Sequence, residues 1–267
     1  MMDLQGVLEE VKQLAVEVGT FISKQRETFD LSRVESKHSH DYVSYVDKES
    51  EKMIVARLKE ILPVAGFITE EKTTEQKDEE TELFWVVDPL DGTTNFIHDL
   101  APYCVSIALR NEKEFLLGVV YEVTRKELYS AFKGGGAYLN GRKIHVSSFT
   151  DMDKALVMIG YPYNAEGYRR FCMNLSGLLY GHCASIRSNG SAEAELCYLA
   201  AGKIDVYVES FIQPWDVAAG ACILMEAGGK VTDYEGKNEL WESGREVLAT
   251  NGMLHEAMLK EISRARD

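Results

Sequence analysis

Asp88 and Asp91, inside the stretch WVVDPLDGTTNF at 85–96, are the residues in this chain whose type and spacing point most directly to chemistry. Residues 84–87 read as a short buried strand that delivers Asp88, and Pro89, which lacks an amide donor, is expected to stop the ladder there. Gly92 tolerates left-handed backbone, so both carboxylates fall within one tight turn. Two such charges repel unless a cation lies between them, and the simplest neutraliser is a hard divalent ion such as Mg²⁺, which takes oxygen ligands. Thr93 and Thr94 add hydroxyls and can cap a following helix whose first amides face an anion. On spacing alone, an ordinary Asx turn with two solvated aspartates is the competing reading.

Other polar positions could join this pair. Gly66-Phe67-Ile68-Thr69 reads as a strand leading into Glu70 and Glu71; if it neighbours 84–87, one glutamate reaches the aspartates and the other points away. Spacing leaves open which one. Pro214-Trp215-Asp216 opens a run so apolar that its helix, 215–227, must be buried on most sides, with Asp216 held ionised at the positive helix end, as a site residue or as a plain cap. Ser188-Asn189-Gly190-Ser191-Ala192 opens another helix, 191–201, whose free amides offer an anion site; capping by Ser191 or Asn189 explains the pattern as well. Glu209 follows a strand at 205–208 and should return to the same sheet edge, to accept bonds from hydroxyls or to cap the Asp216 helix. Lys37, His38, His40 and Asp41 lack a third soft ligand and read as solvated loop, while Gly134-Gly135-Gly136 lacks phosphate-loop spacing and reads as a tight turn before a hairpin at 138–141.

These positions need a large scaffold. A chain of 267 residues can bury a sizeable core as one large domain or two fused halves. The net charge of −14 argues against nucleic acid and anionic membrane as partners. The five cysteines have no metal-ligand spacing and read as reduced core thiols, and the absence of an apolar 18-residue run or a basic, apolar leader makes a soluble cytoplasmic protein the expectation. Apolar residues at three- and four-residue spacing predict a helix over 4–22, and a second runs from about Asp47, its expected cap, until Pro63. Alternation predicts a hairpin or extended segment around 34–46 and a meander over 104–131. Beyond 150, short strands at 155–159, 182–186, 205–208, 230–232 and 247–250 alternate with helices, 168–179 among them. The expected organisation is a helix pair with an antiparallel sheet (1–150, carrying most of the acidic candidates) and an α/β half (151–267), meeting near 147–153 and acting as one compact unit of mixed α/β class.

WVVDPLDGTTNF, the segment Ile68-Thr69-Glu70-Glu71, and Pro214-Trp215-Asp216-Val217-Ala218-Ala219-Gly220 with Glu226-Ala227-Gly228-Gly229 together resemble the inositol monophosphatase family, among the magnesium-dependent, lithium-sensitive phosphatases. The resemblance covers nearly the whole chain. It implies a layered α-β-α-β-α sandwich, a homodimer, and hydrolysis of a small polyol monophosphate, inositol monophosphate first. By the same resemblance Glu70, Asp88 and the Leu90 carbonyl bind one Mg²⁺, Asp88, Asp91 and Asp216 a second, and a third, weaker ion sits near Glu70. Thr93, oriented by Asp47, holds the attacking water together with Glu70. Gly92, Thr93 and Thr94 hold phosphate oxygens, and Gly190, Ser191, Ala192 and Glu209, beside Asp91 and Asp216, meet the alcohol portion. Thr69 stands where many members have glycine, and Gly160-Tyr161-Pro162-Tyr163 is similar to bacterial members. With no nucleophile–histidine pair evident, direct attack by water is expected. The alternatives are a phosphatase for nucleotide, NADP, histidinol or other sugar phosphates, with Tyr161, Tyr163 and Arg187 as platform for a base, and a non-catalytic, metal-stabilised binding or regulatory protein.

Overall fold

The computed structural model describes residues 2–30, 34–38, 41–75, 81–162, 165–238 and 245–267. Helix α1, Leu4–Glu27, buries Leu8, Val11, Leu14, Ala15, Val18 and Ile22, so the periodic stripe of the sequence is the face that packs. Strands β1 (Val34–His38) and β2 (Asp41–Ser44) form the antiparallel pair that alternation predicts. His40 lies outside the described residues, as do the side chains of Lys37, His38 and Asp41. Helix α2, Tyr45–Ile61, is capped by Ser44 and not by Asp47. Ser44 Oγ accepts from the Val46 amide at 3.1 Å, and Asp47 Oδ2 accepts from the Ser44 amide at 2.8 Å, a reciprocal capping box.

The first sheet is built from β3 (Gly66–Thr69), β4 (Phe84–Asp91), β5 (Cys104–Arg110), β6 (Phe115–Glu122), β7 (Glu127–Phe132), β8 (Gly136–Leu139) and β9 (Arg142–Ile144), in that order across the sheet, with the short helix α3 (Thr93–Ile97) after β4. Its neighbours are antiparallel except β3 and β4, which run parallel and so end side by side. The second half adds β10 (Leu156–Gly160), α4 (Ala165–Leu179), β11 (Ser185–Arg187), α5 (Ala192–Ala200), β12 (Val206–Ile212), α6 (Ala218–Glu226), β13 (Lys230–Thr232), β14 (Arg245–Thr250) and α7 (His255–Arg266). These strands form a mixed sheet ordered β11-β10-β12-β14-β13.

Five layers result. Helices α1 and α2 cover one face of the first sheet, α5 and α6 fill the space between the two sheets, and α4 and α7 close the far side of the second, which is the α-β-α-β-α sandwich expected. Three apolar clusters mark the seams, and the middle one draws on both halves, from Val86 and Val120 to Leu224 and Ala249. The five cysteines are unpaired, and all but the half-buried Cys183 are buried. No helix among the described residues is long and apolar enough to cross a membrane.

Close approach of α6 to β6 fixes the spacing of the middle layer. A Cβ on Gly118 would fall 2.5 Å from the Ala219 carbonyl oxygen and 3.0 Å from its Cα, which are backbone atoms that cannot rotate aside. Gly118→Ala must therefore push α6 off the sheet. The expected outcome is a loss of about 1–3 kcal/mol in urea melts at unchanged m-value; a melt superimposable on the wild type would show that the layer has slack.

Candidate active site

β4 is buried along its whole length, and its apolar Phe84, Trp85, Val86 and Val87 seat it in the first sheet between β3 and β5. Pro89 does not end the strand, contrary to expectation. Asp88 pairs with Ser106 and Asp91 with Cys104, so β4 has one more residue than β5 between the two pairs. Pro89 sits in this bulge, where its missing amide forfeits no ladder bond. The Leu90 amide donates to Asp88 Oδ1 at 2.9 Å. Gly92 then turns the chain at φ +88°, and a Cβ there would meet the Pro102 carbonyl at 3.0 Å and Ser191 Cβ at 3.3 Å, so the turn admits the second half only because it has no side chain.

Thr93 and Thr94 do not cap α3; Gly92 is the cap residue, and no side chain bonds there. Thr93 Oγ1 lies 2.8 Å from Asp47 Oδ1 and 3.0 Å from the Leu90 carbonyl. Donating its single proton to Asp47 leaves the hydroxyl lone pairs able to accept from a water. Burial pushes the Asp47 carboxyl up, against hydrogen bonds from Ser44 and Thr93.

The parallel pair brings the glutamate. Thr69 is in register with Val87, and the Glu70 amide donates to the Val87 carbonyl at 3.2 Å, so Glu70 shares a hydrogen bond with Asp88. The Glu71 amide turns instead to Glu51 Oε2 at 2.7 Å. Asp216 arrives from a 3-10 turn, Pro214–Asp216, separate from α6; the continuous helix expected over 215–227 is interrupted at Val217. Its Oδ2 accepts from the Gln213 amide at 2.9 Å.

The electrostatics follow from crowding. Burial first, and then the charges of Glu70, Asp91 and Asp216, hold Asp88 well above the usual carboxylate range. Burial, Glu70 and Asp91 do the same to Asp216, opposed by the Gln213 amide. Burial pushes Asp91 up to about 6, although Ser191 Oγ donates to its Oδ2 at 2.6 Å and the Glu193 amide at 2.9 Å. The first amides of α5 are thus turned to Asp91, and the open anion site expected at that helix start is taken by a side chain of the protein itself. Among the described residues no three acidic, histidine or cysteine side chains stand as a ready-made cage for an ion; each of these aspartates faces a protein donor. The donor set is nevertheless all oxygen and carries more negative charge than its neighbourhood neutralises, which is the chemistry a hard cation such as Mg²⁺ fits.

Gly190, Ser191 and Ala192 stand beside Asp91, and Asn95 Nδ2 ties that segment to α3 by donating to the Asn189 carbonyl at 2.7 Å and the Pro102 carbonyl at 2.8 Å. Glu209 lies within β12, opposite Gly160, not just after the strand. Burial raises it to about 7, the Tyr207 hydroxyl that donates to it acts against this, and the Asp91 charge adds to it. The glycine turn is no phosphate loop: the Gly134 and Gly136 amides each donate to Glu226 at 2.8 Å. Arg187 is exposed and bonds the Ile186 carbonyl at 2.8 Å, and Tyr163 lies outside the described residues.

Two acids went unnoticed in the sequence. Glu51 accepts from Thr69 Oγ1 at 2.9 Å and from the Glu71 and Thr73 amides at 2.7 Å, holding the turn that carries Glu70. Glu193 is fully buried; it accepts from Ser106 Oγ at 2.9 Å, the Ala219 amide at 3.2 Å and the Gly220 amide, and burial followed by Asp91 raises it to about 8. The available signal was an acid on an apolar stripe: Glu51 shares a face with Asp47, Ile54, Val55 and Leu58, and α5 has no exposed side on which Glu193 could sit.

Comparison with known proteins identifies the family and the fold. The profile of the inositol monophosphatase family matches residues 3–267. The Nus factor SuhB of Escherichia coli K12 is 39% identical over 248 residues, covering 93% of this chain and 92% of that protein. An inositol-1-monophosphatase of Mesorhizobium japonicum is 34% identical over 260 residues, covering 97% of each. The crystal structure of the extragenic suppressor protein SuhB from Bartonella henselae superposes with a TM-score of 0.90 at 32% identity, over 97% of this chain and 99% of that one. With a family profile spanning the chain and the same fold in its relatives, the protein belongs to the inositol monophosphatase family.

Proposed function

We propose that this chain hydrolyses the phosphate monoester of a small polyol, inositol monophosphate first, to the alcohol and inorganic phosphate, with Mg²⁺ as cofactor. The observation that carries the reading is the convergence of Glu70, Asp88, Asp91 and Asp216 next to the Thr93–Asp47 hydrogen bond. The name inositol-1-monophosphatase, borne by the Mesorhizobium relative, supports the substrate class.

In this reading Glu70, Asp88 and the Leu90 carbonyl would hold one ion, and Asp88, Asp91 and Asp216 a second. Bound there, Mg²⁺ supplies positive charge that makes a water more acidic and stabilises the departing oxygen. Thr93, its own proton given to Asp47, accepts one hydrogen of the attacking water, and Glu70 accepts the other. The water oxygen bonds to phosphorus as the ester P–O bond breaks in line, and the proton that the water gives up ends on the departing oxygen, so that water and monoester become alcohol and inorganic phosphate. The amides of Gly92, Thr93 and Thr94 offer donors to the phosphate oxygens. Gly190, Ser191, Ala192 and Glu209 face the alcohol, Glu209 accepting from its hydroxyls. The halves 1–150 and 151–267 work here as one unit, since neither holds all the acids.

A second reading comes from the name Nus factor borne by the Escherichia coli relative: a role as binding partner, beside or instead of turnover. The net charge of −14 directs such contact toward protein and away from nucleic acid.

Phosphate release from inositol monophosphate should require Mg²⁺ and vanish in excess EDTA; full activity in EDTA would remove the metal from the reading. Asp88→Asn separates turnover from folding. Removing one of several crowded charges should leave the metal-free melting temperature at or above the wild type, cut the rise in melting temperature on adding Mg²⁺, and abolish turnover while any partner binding survives. Near-normal kcat with an intact fold would refute Asp88 as a ligand. Glu70→Gln should lower kcat at least roughly tenfold, and Glu71→Gln much less, because only Glu70 reaches Asp88 from β3; the reverse order in steady-state kinetics would overturn the assignment.

A further inference from the structure

Phe211 is held where an ordinary strand residue would not be. Its φ is +62°, a left-handed conformation that its β-carbon disfavours and that glycine would adopt without strain. It sits in a second bulge, where pairing between β12 and β14 steps from Glu209 opposite Val247 to Ile212 opposite Arg245. The residues on either side are buried, and Ser210 Oγ is 3.0 Å from the Tyr234 hydroxyl. Phe211 itself is 42% exposed, so the strain does not serve core packing. It turns the ring outward against Tyr168 of α4, ring centroids 5.9 Å apart and planes tilted by 43°.

The location supplies the meaning. β10 and β12 run parallel, Gly160 is in register with Glu209, and this is the carboxyl end of the pair, where ligands settle on such sheets. Tyr161, 49% exposed, follows Gly160 directly. The Glu209 carboxylate is therefore flanked in sequence on both strands by exposed aromatic rings. An aromatic face carries the negative side of the ring quadrupole and accepts polarised C–H groups. A cyclic polyol offers both a rim of hydroxyls and a continuous C–H face, whereas an open-chain polyol has no fixed face to rest on a ring.

We propose that Phe211, backed by Tyr168, is the platform for the C–H face of a ring-shaped polyol while Glu209 accepts from its hydroxyls, which makes Phe211 a specificity-determining residue favouring cyclic over open-chain polyol monophosphates. This rests on the phosphatase reading above. The test compares wild type, Phe211→Gly and Phe211→Leu on myo-inositol 1-phosphate and glycerol 2-phosphate with Mg²⁺. In Phe211→Gly the ratio of KM for the cyclic substrate to KM for the open-chain one should rise roughly three- to tenfold, with a smaller rise in Phe211→Leu, which keeps volume but not the aromatic face. An unchanged ratio overturns the proposal, as do equal losses on both substrates accompanied by a lower melting temperature, the mark of a structural ring. Should Phe211→Gly not fold, the ratio in Phe211→Leu decides alone. If wild type releases phosphate from neither ester, it is the phosphatase reading that has failed; calorimetric binding of myo-inositol 1-phosphate in Mg²⁺ then decides for the platform, weaker binding by the variant sustaining it and equal binding overturning it.

Discussion

Burial and the charges of Glu70 and Asp91 push Asp88 and Asp216 toward the protonated state, and a fold can hold Asp88, Asp91 and Asp216 so close together only by giving each of the three a donor. A buried carboxylate left alone costs several kcal/mol, whereas a hydrogen bond to a charged group returns about 1.5–3 kcal/mol. The donors are backbone amides, or a hydroxyl at a helix start: Leu90 for Asp88, Ser191 and Glu193 for Asp91, Gln213 for Asp216. The bulge at Pro89, the left-handed Gly92, the 3-10 turn before α6 and the docking of α5 all answer that one requirement.

Three further acids act as ties between layers. Asp47 joins α2 to Thr93, Glu51 joins α2 to the turn after β3, and Glu193 joins α5 to the start of α6 and to Ser106 on β5. The acidic balance of the chain, 43 Asp and Glu against 29 Lys and Arg, is thus only partly a surface property. Buried acids with several donors each place the elements that carry the outer ring of the site, so the positions of Glu70 and Thr93 depend on residues that touch no substrate.

Much of this was legible in the sequence because it is local. The run from Trp85 to Phe96, the stripe of α1 and the alternation of β5 to β7 each follow from a periodicity or a turn residue acting over a few positions. What escaped is set by partners far along the chain. Pro89 was expected to stop a strand because the bulge that absorbs it exists only against Ser106 and Cys104. Asp47 is not the cap because Ser44, three residues earlier, holds that position; Asp47 closes the box through Oδ2 and leaves Oδ1 to a threonine in another element. The amides of α5 looked open because the carboxylate that fills them lies on β4, 100 residues earlier in the chain, and Glu51 and Glu193 went unnoticed because the groups they hold, Thr69 and Thr73 for the one and Ser106 and Ala219 for the other, lie in other elements.

The bond between Asp91 and Ser191 spans 100 residues of chain. Until α5 docks, Asp91 on β4 has none of the donors that α5 supplies, so the first sheet can form its ladders without having a settled centre. Contacts of such separation are late in folding, since the loop must close before the contact rewards it. A chain emerging from its amino terminus would therefore complete its strands well before its chemistry, and the last turn to be satisfied is the one around which the protein was built.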